Sequence, residues 1–156
     1  MKAKNKKNIR LLWKVLFIAY IIFLFYFLLL SDWYGRSGEM YDYHYNLVLF
    51  KEIKRFWLYR EKLGMYAVFT NIGGNILIFV PFGFILPMAK KYHSFFNTVF
   101  CTLGFSFFVE SFQLITKVGC FDVDDLLLNT IGGILGYIIF VICNTVRRRR
   151  SARRKR

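Results

Sequence analysis

Four apolar runs divide the chain, Leu11 to Leu30, Ala67 to Ala89, Phe95 to Thr116 and Leu126 to Val146. Each reaches about the 20 residues that a helix needs to cross a hydrocarbon core. Lipid offers no partners to free N–H and C=O groups, so such runs must be helical. The pattern predicts an all-α integral membrane protein with four transmembrane helices. Basic residues precede the first run, as in a signal peptide, but the run is too long for one and "SDWYGRSGE" contains no small-x-small cleavage site. It is expected to remain as an anchor.

The loop at 31–66 follows a different pattern. Within "NLVLFKEIKRFWLYREKL", Leu49, Phe50, Ile53, Phe56, Trp57 and Leu63 recur at three- and four-residue spacing, while Lys51, Glu52, Lys54, Arg55, Glu61 and Lys62 take the other face. An amphipathic helix in the headgroup region is predicted, roofing the bundle. Asp32, Trp33, Tyr34, Tyr41, Tyr43 and Tyr45 suit an interfacial belt, and Arg36 and His44 are available as headgroup or site contacts.

Composition agrees with the pattern. The 156 residues, enough for one modest domain, are 56% hydrophobic and 21% aromatic, with mean hydropathy +0.39. Charge sets an orientation: basic residues crowd the tails 1–10 and 147–156, and Lys90 and Lys91 lie between the second and third runs. Eight of the nine acids fall in the other two loops, and the ninth, Glu110, is inside the third run. Basic flanks mark the cytoplasmic side, so both termini are expected there and the acids outside. The net charge of +14 does not indicate nucleic-acid binding, because it is split between tails without a basic, aromatic-lined face. "RRRRSARRKR" instead suits anionic lipids, at about 1 kcal/mol per Lys or Arg near the surface. Cys101, Cys120 and Cys143 fall at separate depths and form no disulfide framework.

The polar residues inside the runs share one level. At 1.5 Å per residue, Asn71 and Asn75 come about 6 and 12 Å below the outer end of the second helix, Glu110 and Gln113 about 9 and 5 Å below that of the third, and Asn129 about 6 Å below Asp125. Within each run the spacing of three or four aligns them on one face: Asn71 with Asn75, Ser106 with Glu110 and Gln113, Asp125 with Asn129. A carboxylate in hydrocarbon costs at least about 2.5 kcal/mol, so Glu110 is expected to face the bundle interior, toward Asn75, Gln113, Asn129 or, from the roof, Arg36 or His44. The candidate site is an outward-opening pocket of Asn75, Glu110, Gln113, Asp122, Asp124, Asp125 and Asn129, with Arg36 and His44 above. Asp122, Asp124 and Asp125 are candidate ligands for a divalent cation, although no cofactor is required. Amides such as Asn71 also serve as interhelical ties. Gly132 and Gly136 form a GxxxG pair, Gly73 and Gly74 a smooth patch, and Pro81 and Pro87 are expected to kink or end the second helix.

"NLVLFKEI", "NIGGNILIFVPFGFILP", "FVESFQL" and "FDVDDLLLNTIGGILGY" stand in this order and spacing in VanZ-like membrane proteins, which the chain resembles from about Tyr45 to Tyr137. The resemblance implies a small polytopic protein of mainly Gram-positive bacteria, with a possible role in teicoplanin and other glycopeptide resistance. It carries the family's characteristic residues onto Asn75, Pro81, Gly83, Glu110, Gln113, Asp122, Asp125, Asn129, Gly132 and Gly136. Many members have an arginine shortly before the Phe-Asp pair; here "TKVGCFDVDD" supplies Lys117 and Cys120.

Three functions remain open from the residues. The pocket could engage membrane lipids, a lipid-linked cell-wall precursor or a lipoglycopeptide. Alternatively Glu110 could be the catalytic acid or base of an intramembrane enzyme acting on a phosphate-bearing lipid, although no nucleophile motif, phosphate loop or HExxH is present. In the third reading the protein is an assembly partner that works through its GxxxG face. The sequence sets no oligomeric state.

Overall fold

A computed structural model describes residues 3–30, 43–89 and 94–153, so Arg36 and most of the tyrosine-rich belt lie outside the described residues. Four helices are long and apolar enough to cross a membrane: α1 (Ala3–Leu30), the run Met65–Ala89, α6 (Phe95–Thr116) and α7 (Val123–Arg153). Both α1, at 28 residues, and α7, at 31, extend beyond the predicted apolar runs into the basic tails. Hydropathy marks where lipid stops, whereas Lys and Arg are good helix formers and let the helix continue.

The helices run antiparallel in sequence order. Contacts at one end join Trp13 of α1 to Phe84 and Phe95 of α6 to Tyr137 of α7. At the other end Gln113 of α6 donates to the Leu28 carbonyl (3.0 Å) and Asn129 of α7 donates to Ser106 (2.9 Å). The surface is apolar: Leu12, Leu16 and Ile22 of α1, Phe96, Phe100 and Phe108 of α6 and Ile138 and Ile142 of α7 are all exposed. α6 reverses the soluble pattern most clearly, because its buried face carries Thr98, Thr102, Ser106, Glu110 and Gln113, none more than 5% exposed. Thr98 and Thr102 return their hydroxyl protons to the carbonyls four residues back, at 3.1 and 2.8 Å, which satisfies them without water.

The second span is composite. α4 (Met65–Val68) passes through a π-helical turn, Phe69–Gly73, into α5 (Gly74–Ala89). Pro81 and Pro87 lie within α5 and do not end it. Tyr20 instead donates its hydroxyl to the Ile78 carbonyl, beside the carbonyl that Pro81 leaves without an N–H.

Glycines let α5 and α7 share the most extensive interface in the bundle. A Cβ on Gly132 would lie 2.1 Å from the Ile76 carbonyl oxygen, and one on Gly136 would lie 2.0 Å from that of Val80. The reciprocal residue on α5 is Gly83, where a Cβ would meet the Gly133 oxygen at 1.9 Å. Of the expected Gly73–Gly74 patch, Gly73 has Phe69 of its own span as its nearest neighbour, at 3.4 Å from a Cβ. The GxxxG pair is thus consumed inside the chain.

The loop after α1 contains β1 (Tyr45–Asn46), α2 (Lys51–Leu58) and α3 (Arg60–Leu63) before Gly64, whose φ of 79° starts α4. The predicted amphipathic helix is therefore broken at Tyr59 into two short pieces. β1 pairs in parallel with β2 (Phe121–Asp122), in the register Tyr45 to Phe121 and Asn46 to Asp122.

Candidate functional site

The acidic stretch before α7 is where the first loop is fastened. Asp122 accepts from the Asn46 amide (2.9 Å) and from the Asp124 N–H (2.8 Å), so its carboxylate both closes the β bridge and starts α7. Asn46 holds its own turn, accepting from the Val48 N–H at 3.2 Å and donating to the Val48 carbonyl at 3.3 Å. The Asp122 N–H in turn donates to Glu110 at 3.1 Å.

Asp124 does something unlike either neighbour. It is 1% exposed, and its two oxygens accept from three backbone N–H groups, Phe50 at 2.5 Å, Glu52 at 2.8 Å and Ile53 at 3.2 Å. The residue at the N-cap position of α2 is Phe50, held at φ 65°, and its side chain cannot cap. A carboxylate more than 70 residues away in sequence caps the helix instead and complements its positive end.

Asp125 points the other way. It accepts from the Asn75 amide, joining α7 to α5 just past the π-helical turn. Such turns re-aim side chains and recur at functional sites. Here the turn holds Asn71, which donates to the Ala67 carbonyl (2.8 Å).

Between α2, the π-helical turn and the start of α7 lies a cavity of about 110 Å³. Glu52, Arg55, Asn71, Asp122, Asp124 and Asp125 supply its polar wall, and Ile53, Phe56, Ile72 and Leu128 the rest. Arg55 is paired with Glu52 at 2.5 Å. Burial raises the Glu52 pKa above the usual carboxylate range; Arg55 opposes this and the Asp122 charge adds to it. Burial also raises Asp122, against the lowering effect of the Asp124 N–H and the Asn46 amide. The Cys120 thiol is pushed up by burial and then by the Asp122 and Glu110 charges. These shifts have one origin, several carboxylates gathered where water is scarce.

The predicted site residues thus divide. Asp122, Asp124 and Asp125 line the cavity, and Asn75 stands behind it on Asp125. Glu110, 3% exposed and not turned to lipid, braces Asp122 from behind and does not line the cavity. Gln113 is directed to α1 and Asn129 to Ser106; the Asn129 carbonyl oxygen has no partner among the described residues. The His44 side chain is exposed, and its carbonyl accepts from the Phe121 N–H (3.1 Å).

Asp122, Asp124 and Asp125, the candidate cation ligands, are each engaged by protein groups. No group of three side chains placed to hold a metal ion occurs among the described residues. Asn46, Glu52, Arg55 and Asn71 enter the site without having been singled out for it. Glu52 is half-buried beside Ile53, whereas Arg55 borders the cavity from an exposed position.

The VanZ/LLP1 family profile matches residues 17–144, from the first span into the fourth. The chain belongs to the VanZ/LLP1 family. It is similar to Protein VanZ of Enterococcus faecium, 32% identical over 107 residues, a stretch that covers 63% of this chain and 66% of that protein. No solved structure matches it. The part of this VanZ/LLP1 protein that matches the profile includes every residue of the cavity wall and both partners of each α5–α7 glycine contact. It is a multi-pass membrane protein by family and by its four apolar helices.

Proposed function

We propose that this VanZ/LLP1 protein acts in the cell envelope, with both termini cytoplasmic and the acid-lined cavity facing outward. There it binds a positively charged group of a membrane lipid, a lipid-linked cell-wall precursor or a lipoglycopeptide, and so contributes to teicoplanin resistance. The observation that carries this reading is the cavity itself, walled by Glu52, Asp122, Asp124 and Asp125 with Arg55 already paired. Its 110 Å³ is well under the roughly 300 Å³ of pockets that enclose a drug-sized ligand. It therefore takes one functional group, while the rest of the ligand stays in the leaflet or above it. The basic tails at the opposite end of the bundle support the orientation.

A phosphate-bearing substrate fits the same wall poorly, since it would meet four carboxylates and a guanidinium already engaged by Glu52. Glu110 accepts from the Asp122 N–H and stands outside this cavity wall, so the cavity supports a binding role rather than one for Glu110 as catalytic acid or base. Gly132 and Gly136 are occupied by α5, so they offer no face to an assembly partner.

The test is expression in a susceptible host of wild type, empty vector and Asp125→Asn, with protein amounts matched. Wild type should raise the inhibitory concentration of teicoplanin and lower cell-surface binding of labelled drug. Asp125→Asn, which keeps the carbonyl that Asn75 donates to and removes only charge, should lose both effects. Wild type that changes neither readout, or Asp125→Asn as active as wild type, would refute the reading.

A further inference from the structure

The β1–β2 bridge has two faces, because successive side chains on a strand point to opposite sides. Asn46 and Asp122 turn inward and are buried; Tyr45 and Phe121 turn the other way and border a second concavity. This groove, of about 510 Å³, runs between Leu47 and the last turns of α6, over Phe107, Leu114 and Ile115. Of its lining residues only Ser111 and Tyr45 carry a polar side-chain group.

We propose that the groove seats one acyl chain of a phospholipid from the leaflet around the acid-bearing end. The groove continues the lipid-facing surface of α6, on which Phe100, Leu103, Phe107 and Ile115 are exposed. From Phe107 to Ile115 it covers about 12 Å of the helix axis, at the level where chains meet headgroups. No charged side chain lines it, so a headgroup stays above the groove. There Lys117, directly after α6, brings its ammonium to 4.8 Å from the Tyr43 ring and places a cation at phosphate height. Phe107 and Phe121, edge to face at 5.9 Å, close the wall between chain and bundle. The phospholipid and the ligand of the acid cavity thus lie on opposite faces of one two-residue bridge.

The experiment uses the full chain in phosphatidylcholine–phosphatidylglycerol vesicles doped with a phospholipid that carries a diazirine on its acyl chain. After photolysis, adducts are mapped by mass spectrometry. Groove residues should be labelled about tenfold above exposed apolar residues of α1 such as Leu12 and Leu16, a ratio equivalent to 1.4 kcal/mol. Ser111→Trp, which fills the groove, should remove the excess and leave α1 labelling unchanged. Leu47→Asp, at an exposed loop position, should do the same without altering a helix. Asp125→Asn should preserve groove labelling, so failure of the cavity reading and failure of this one are separate results. Labelling spread evenly over α1 and α6, groove labelling indifferent to both filling variants, or cross-links between two copies of the chain across the groove would overturn the proposal.

Discussion

Truncating Asp124 should release α2 from the bundle while leaving the spans intact. The carboxylate accepts three backbone N–H bonds of 2.5, 2.8 and 3.2 Å and is 1% exposed. Hydrogen bonds to a charged acceptor contribute about 1.5–3 kcal/mol each, and loss of an N-cap usually costs about 0.5–2 kcal/mol. Because α2 lies at the rim and its freed amides can regain water, a net cost of about 3 kcal/mol is the consistent figure, roughly a hundredfold in the docking equilibrium. Hydrogen exchange on the full chain in nanodiscs reads this directly, since local opening sets the exchange rate of each amide. In Asp124→Ala the amides of 51–58 should exchange about a hundredfold faster, with those of α5 and α7 unchanged. Asp124→Asn, which keeps one acceptor oxygen of two, should fall between. Unaltered exchange across α2 in the alanine variant would show that the helix is held by something other than this cap.

Two further outcomes follow from the packing and from the acids. Gly136→Val places a branched side chain where a Cβ already meets the Val80 oxygen at 2.0 Å, so it should cost about 3 kcal/mol or more in mixed-micelle unfolding. Gly104→Ala, with nothing within 4 Å, should instead stabilise by about 0.5–1 kcal/mol, and equal effects at the two positions would refute the interface. Asp122 and Glu52 both have raised pKa values, so the folded chain binds their protons more tightly than the unfolded chain does. Their contribution to stability is therefore full below the ordinary carboxylate range near 4 and declines as pH climbs from there toward neutrality. Melting temperature should fall over that interval and Asp122→Asn should flatten the trend; a wild-type melting temperature that rises from pH 4 to 7 would contradict the assignment.

The spans were legible in the sequence because a bilayer imposes a length, and a run of that length has few other readings. The shared depth of the polar residues was legible as well, since helical rise converts position into height. Their partners were not. Asn75 shares a level with both Glu110 and Asp125, and its bond to Asp125 depends on the π-helical turn and the close approach of α5 to α7, which sequence spacing does not show. Gln113 and Asn129 share that level yet serve α1 and Ser106. Asp124 was read as a possible cation ligand because a lone carboxylate gives no sign that its partners are backbone amides of another segment. Glu52 and Arg55 belonged, in the periodic pattern, to a solvent face; the cap from α7 docks the start of α2 so that both border the cavity.

Residues 44–53 are tied across the chain to 121–124 by the parallel bridge, the Phe121 N–H on His44, the Asn46 amide on Asp122 and the three amides on Asp124. During synthesis the earlier segment emerges first and the later one only when three of the four spans have been made. The segment 44–53 therefore lacks these ties until the start of the final span has been made. Assembly of the site waits for the start of that span, which makes it a late step in building the chain.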